Sequence, residues 1–194
     1  MKNKHKKKCI LIVDLNGQLI KDKKDYYDND VCIITCKSHM KHDLDLYDSL
    51  IISLDKNHED IFHFYFDYFK NKPVLTTGYA CIFLSKYYNC HVINNCDNYD
   101  NIISDCVIKT DTRYKLHSNI DNVYNKVILN NDNNTIIIPD DSDNKSMSCC
   151  ISGSYKYFID TSYRFMNKKH YGILFNLNDS SIGESILQNF ITRI

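Results

Sequence analysis

Short apolar runs alternate with longer stretches of helical periodicity through the first half of the chain. Four runs rich in β-branched residues predict buried strands, at residues 10–14, 31–35, 50–53 and 73–77. Residues 58–70 and 79–88 place their apolar side chains at helical spacing. Strand and helix therefore alternate, which predicts an α/β fold with a central, mostly parallel sheet flanked by helices.

The aromatic segment before the fourth strand has two kinds of position. Phe62, Phe66 and Phe69 share one face of the predicted helix, which indicates packing against the core. The run is so nearly unbroken that other aromatic side chains must face outward, where they would mark an interface. We interpret the segment mainly as core.

The second half of the chain predicts further β structure. Its strand-like pieces are separated by turns rich in Asn, Asp and Ser, at residues 104–109, 126–129, 135–138, 149–151, 155–159 and 171–175. Residues 140–148 read as a loop, and residues 182–194 as a closing helix. These pieces predict added β structure in the second half.

Length and charge narrow the possibilities. The chain of 194 residues fits a single domain at residues 9–194, preceded by a basic tail at residues 1–8. Its 24 basic and 24 acidic side chains leave no positive excess, so we expect no nucleic-acid partner. No apolar run is long enough to span a membrane, so we expect a cytoplasmic protein without membrane contact. The tail reads as solvated, with nuclear targeting or contact with an anionic surface as alternatives.

The nine cysteines indicate reduced thiols, since no signal peptide places the chain in an oxidising compartment. No spacing pairs them as zinc ligands, and we expect no metal at Cys90, His91 and Cys96. The polar group His39, His42, Asp43 and Asp45 reads as a loop. No phosphate-binding glycine-rich loop is present, so no cofactor is expected.

Five segments over nearly the whole chain keep the order and spacing of a known family. They are a first strand that ends in Asp, Asn, Gly and Gln at 10–18, the strand at 50–53, a Lys-Pro-Val-Leu strand with its turn and helix at 72–92, a segment ending in Ile-Pro at 127–139, and a Tyr-Gly strand with a closing helix at 170–190. In this order they resemble the class I glutamine amidotransferases, most closely the glutaminase domain or subunit of GMP synthetase. The resemblance implies a flavodoxin-like fold.

The family's chemistry needs a thiolate on a strand-to-helix elbow, a histidine base, an acid that orients it, and backbone donors for the oxyanion. The resemblance places Gly78 at the nucleophile, Asn176 at the base and Asn178 at the acid. The glycine-rich oxyanion loop falls on Leu54 and Asp55, whose side chains would crowd the backbone. Glycine offers no nucleophile, and asparagine cannot serve as a base near neutral pH.

We therefore interpret the chain as a pseudoenzyme of this family with a binding or regulatory role in a larger assembly. The partner that the resemblance implies is an ATP-pyrophosphatase synthetase subunit, with another protein as the alternative. A second hypothesis is an active hydrolase or amidotransferase whose relocated nucleophile is Cys81, one helical turn beyond Gly78. A third is a flavodoxin-like domain that binds an anion at the helix amino terminus near Gly78.

Overall fold

The structure is a computed structural model that describes residues 8–15, 17, 19, 30–34, 43–93, 106–110, 115–118, 120, 136–138, 145–152, 158–165, 169–174, 177 and 181–194. The strands are β1 (Cys9–Asp14), β2 (Asp30–Ile34), β3 (Ser49–Leu54), β4 (Val74–Gly78), β5 (His91–Ile93), β6 (Cys106–Thr110), β7 (Ile136–Ile138), β8 (Lys145–Ser152), β9 (Phe158–Arg164) and β10 (His170–Ile173). The α-helices are α1 (Glu59–Phe69), α2 (Tyr79–Tyr87) and α3 (Ser181–Arg193), and short 3₁₀ turns lie at Leu44–Leu46 and Lys115–His117.

Eight of these strands form one sheet in the order β2-β1-β3-β4-β10-β9-β8-β6. The first five are mutually parallel, and β9, β8 and β6 extend the sheet in antiparallel fashion. β5 and β7 form a separate antiparallel pair. The α/β prediction is confirmed, because all four strands predicted in the first half lie parallel in this sheet. The added β structure of the second half is also present.

Side-chain alternation along the central strands creates a core on each face of the sheet. In β1, Leu11 and Val13 pack on the side of α1 and α2, whereas Ile10 and Ile12 pack on the side of α3. Both faces are therefore covered by helices, as a parallel sheet requires.

The aromatic face of α1 is part of the first core. Phe62, Phe66 and Phe69 are fully buried, as predicted from their spacing. Phe64 and Tyr68, on the other side of the same helix, are exposed. One helix thus carries a core face and an aromatic outer face.

One predicted loop is partly wrong, because β8 begins at Lys145, inside residues 140–148. The polar sequence there gave no strand signal, but Lys145 and Ser146 pair with Arg164 and Tyr163 of β9. Shifts in register at Ser148 mark an irregular strand. These residues form a strand because their backbone pairs with β9, and the pattern of apolar and polar side chains does not indicate it. The predicted strand at 126–129 lies outside the described residues.

Candidate functional site

Gly78 lies at a sharp strand-to-helix turn near the middle of the sheet. It is the last residue of β4, and α2 begins at the very next residue, Tyr79. Its backbone angles, φ 62° and ψ −134°, fall in a region that residues other than glycine rarely adopt. This is the backbone arrangement of a nucleophile elbow, here occupied by a residue that has no side chain.

The strands on both sides of β4 end at the same edge as Gly78. Leu54, the last residue of β3, is the register partner of Gly78, and Ile173, the last residue of β10, pairs with Thr77. In open α/β sheets this carboxyl edge is where ligands bind. The sequence therefore brings the elbow, the loop after β3 and the chain after β10 to one place.

The loop after β3 is held by its own acidic side chain. The carboxylate of Asp55 accepts the backbone N–H of Asn57 at 2.9 Å, and its Oδ1 lies 2.7 Å from Nδ1 of His58. This distance is within ion-pair range, but the two groups are not aligned as in a hydrogen bond. His58 is buried and precedes the first turn of α1. The Asp55 carboxylate thus fixes the turn from β3 into α1.

Leu54 differs from the expectation that its side chain would crowd the oxyanion loop. It is fully buried and belongs to the core cluster shared with α1 and α2. Because β3 remains regular to its last residue, alternation turns this side chain into the core. The first side chain available to the loop is that of Asp55.

Cys81, the alternative nucleophile, points into the interior of the domain. Its side chain is fully buried, and a Cβ placed on Gly172 in the middle of β10 would lie only 2.5 Å from its Sγ. Burial raises the pKa of this thiol far above its ordinary value, and a contact with Ser85 opposes the effect only weakly. A thiol in this state is a poor nucleophile at neutral pH.

Asn176 and Asn178 lie outside the described residues. The structure shows only where their segment starts and what lies between them. β10 ends at Ile173 beside β4, and Leu177 is buried in the core on the side of α3. The proposed positions of the two asparagines therefore follow the end of a strand that adjoins the elbow.

The sequence did not reveal a polar contact at the opposite ends of the parallel strands, between the buried His170 and the half-buried Tyr88. The hydroxyl of Tyr88 lies 2.6 Å from Nδ1 of His170, and the Tyr88 ring stacks on that of Phe165. The two partners are 82 positions apart, and nothing in their local pattern marks them as a pair. His170 pairs with Val74, at the start of β4, so this contact is remote from Gly78.

The metal expectations can be examined only in part. Within the described residues, no three His, Cys, Asp or Glu side chains come together as metal ligands. His39, His42 and Cys96 lie outside those ranges. No helix in the described part of the chain has the length and apolar character needed to cross a membrane.

Comparison with known proteins identifies the fold. No protein-family model matches the chain, and no curated protein matches it in sequence. Among solved structures, a candidate GMP synthase subunit from Thermoplasma acidophilum superposes with a TM-score of 0.69 at 16% identity, covering 96% of this chain and 94% of that one.

Two further structures agree. A glutamine amidotransferase from Thermotoga maritima gives a TM-score of 0.63 at 10% identity, over 94% of this chain and 81% of that chain. The structure of PurLQS from Thermotoga maritima gives 0.68 at 8% identity, over 96% and 98%. The chain thus has the flavodoxin-like α/β fold of class I glutamine amidotransferases.

Proposed function

We propose that this chain is a catalytically silent, amidotransferase-like protein that acts as a binding or regulatory subunit. The observation that carries the proposal is the elbow at Gly78, whose backbone is arranged for a nucleophile but whose residue carries none. Covalent hydrolysis of an amide by this fold needs a side-chain nucleophile at that turn. An elbow kept without its reactive group supports a role in binding rather than in chemistry.

The same proposal accounts for the positions around the elbow. Asn176 and Asn178 stand where the resemblance places a histidine and a glutamate, and neither amide can take up a proton near neutral pH. The Asp55 carboxylate is engaged with Asn57 and His58 at the start of α1. A negative charge in this loop also opposes the oxyanion that an active site would have to stabilise.

A relocated nucleophile at Cys81 is the competing function, and the interior position of its thiol weighs against it. A substrate would have to pass α2 or the sheet to reach Sγ. The raised pKa also keeps the thiol protonated. In the proposed function, Cys81 therefore serves to pack the core and takes no part in chemistry.

The test is ammonia release from glutamine by the purified chain, alone and with an ATP-pyrophosphatase synthetase subunit. We expect no rate above the buffer background in either case. Cys81→Ser is the diagnostic variant, and Cys9→Ser, at the start of β1, is its matched control. A glutaminase rate in the parent chain that Cys81→Ser abolishes and Cys9→Ser preserves would show that the chain is an enzyme.

The proposed partner is an ATP-pyrophosphatase synthetase subunit or another protein. Support comes from two of the similar structures, because one is described as a subunit of GMP synthase and the other is PurLQS. Purification of the tagged full-length chain from its own cells, followed by mass spectrometry, tests this. We expect a synthetase subunit in stoichiometric amount. A complex that contains an unrelated protein and no synthetase subunit would show that the partner belongs to another class of protein.

We also propose a reducing, cytoplasmic location. The proposal rests on the nine cysteines, an odd number that does not divide into disulfide pairs and that suits a reducing compartment. Microscopy of the chain with a fluorescent tag at its carboxyl terminus tests the location and leaves the basic tail unaltered.

A further inference from the structure

Strand β10 contacts α2, the helix that begins at the elbow, near both ends of that helix. Near the elbow, Gly172 packs so closely against Cys81 that a Cβ at position 172 would lie 2.5 Å from Sγ. At the other end, the hydroxyl of Tyr88 lies 2.6 Å from Nδ1 of His170. Residues two apart on a strand share a face, so one face of β10 holds the helix at two points.

The Tyr88 side chain joins the end of α2 to the sheet. Its ring is half-buried and stacks on that of Phe165, with 5.3 Å between the ring centroids. The backbone turns directly after it, because Asn89 adopts a positive φ of 56°. We call the contacts of Tyr88 with His170 and Phe165 the latch.

The neutral form of His170 suits both of its hydrogen-bond partners. Nε2 lies 3.2 Å from the Lys72 carbonyl, which can only accept, so Nε2 carries the proton and Nδ1 accepts from the Tyr88 hydroxyl. A second proton, on Nδ1, would point at that hydroxyl donor. The hydrogen bond from Tyr88 to the ring can therefore form only while His170 is neutral.

The surroundings of His170 disfavour its protonated form. The side chain is fully buried, and burial lowers its pKa to about 4. The hydrogen bond to the Lys72 carbonyl opposes this shift, whereas the charge of Lys169, the preceding residue, adds to it. The other charged residues at this end of the neighbouring helices and strands are mainly cations, namely Lys70, Lys72, Lys86 and Arg164, with one carboxylate, Asp67. An imidazolium here gains free energy by reaching water.

We propose that protonation of His170 opens the latch and releases the end of α2 from β10, while the elbow end of the helix stays packed against Gly172. The half-buried Tyr88 side chain swings into water together with the turn at Asn89, and water reaches the imidazolium. The latch is closed near pH 7. It opens as pH falls, because the open form takes up the proton near pH 6.5 and the closed form only near pH 4.

Amide hydrogen exchange of the full-length chain, followed by NMR between about pH 7 and 4.5, tests the proposal. We expect the amides of residues 88–90 to exchange faster than those of residues 82–84. Their exchange should be insensitive to low concentrations of urea, because opening the latch exposes little surface. One proton enters on opening, so their protection should fall about tenfold per pH unit below pH 6.5, after correction for the intrinsic exchange rate.

Two variants and a control identify the responsible group. His170→Gln should remove the pH dependence at residues 88–90, since glutamine does not titrate. His63→Gln, at an exposed position of α1, is the matched control and should keep it. Tyr88→Phe, which keeps the imidazole, should lower the protection of residues 88–90 near pH 7 about tenfold, because the closed latch then lacks its donor.

Two results would overturn the proposal. If residues 88–90 exchange only at the urea-sensitive rate of residues 82–84, protonation unfolds the domain as a whole and no latch opens. If His170→Gln leaves the pH dependence unchanged, another group controls the opening. Neither result depends on whether the elbow at Gly78 supports chemistry, so this test is separate from that of the proposed function.

Discussion

The hydroxyl of Tyr88 lies 2.6 Å from Nδ1 of His170, and this contact joins the end of α2 to the start of β10. Nε2 of the same ring lies 3.2 Å from the carbonyl of Lys72. Since a carbonyl can only accept, Nε2 carries the proton and Nδ1 accepts from Tyr88. Burial lowers the pKa of His170 to about 4 and raises the pKa of Tyr88 to about 12, so both groups are neutral near pH 7.

The lowered pKa of His170 makes stability depend on pH. The unfolded chain takes up the proton near pH 6.5, whereas the folded chain takes it up only near pH 4. Below pH 6.5 the unfolded state therefore binds more protons, and the free energy of unfolding falls as pH decreases toward 4. The full effect has an upper limit of about 3 kcal/mol.

Urea unfolding at several pH values between about 7 and 4.5 measures this dependence. His170→Gln should lower stability at neutral pH and flatten the slope, because the variant has no group that titrates at this position. His63→Gln, at an exposed position of α1, is the matched control and should keep the parent slope. A slope that His170→Gln leaves unchanged would assign the acid sensitivity to other groups.

Tyr88→Phe removes one hydroxyl from the contact with His170 and keeps the ring that stacks on Phe165. The buried Nδ1 then loses this donor, so we expect a loss of about 1–2 kcal/mol. For a domain of this size, thermal unfolding should shift downward by about 2–8 °C. Tyr87→Phe, at the exposed neighbouring position, should change the midpoint little, and equal effects of the two variants would argue against the hydrogen bond.

Gly172 of β10 packs closely against Cys81 of α2. A Cβ at position 172 would lie 2.5 Å from Sγ of Cys81 and 3.1 Å from the ring of Phe165. Gly172→Ala should therefore cost about 1–3 kcal/mol through overpacking. Cys81→Ala alone should cost a smaller amount through the cavity that it leaves.

The double variant of these two residues is the sharper measurement. Removing Sγ makes room for the new methyl group, so the combined loss should be smaller than the sum by about 1 kcal/mol. Relief should be incomplete, because the Phe165 ring stays close. If the two losses in the free energy of urea unfolding simply add, α2 and β10 move apart easily and their close packing does not constrain them.

The sheet and its helices could be predicted from the sequence because local pattern and burial agree there. β1 and β3 are mostly apolar, β4 is rich in β-branched residues, and all three are buried on both faces. α1 shows its core face through Phe62, Phe66 and Phe69. β8 could not be predicted in full, since Lys145 and Ser146 are strand residues only through pairing with β9. Pairing between distant segments leaves no mark on local composition.

The candidate site, likewise, could be predicted from the sequence only in part. Gly78 could be placed at the turn because a β-branched run ends there and a helical pattern begins, and its positive φ explains why glycine fits. The inward direction of Leu54 and the contact between Asp55 and His58 depend on where the chain goes after β3. Side-chain direction at the end of a strand follows from packing, which a single sequence does not display.

The expectation that Asn176 faces Gly78 can be tested with a thiol placed at the elbow. We expect Gly78→Cys to fold with a loss of about 1–3 kcal/mol, because its φ of 62° is strained for any residue with a side chain. Its thiol should alkylate with iodoacetamide at the pH typical of an ordinary cysteine, and the variant should release no ammonia from glutamine. A thiol without a base remains mostly protonated near neutral pH.

Adding Asn176→His to Gly78→Cys should then move the alkylation profile to lower pH. An imidazole next to a thiol stabilises the thiolate, and the shift should be on the order of one pH unit. Asn71→His combined with Gly78→Cys is the matched control, since residue 71 is exposed just after α1, at the opposite edge of the sheet. Identical profiles for the two double variants would show that the chain after β10 does not bring residue 176 to the elbow, and the assignment of Asn176 and Asn178 would then be wrong.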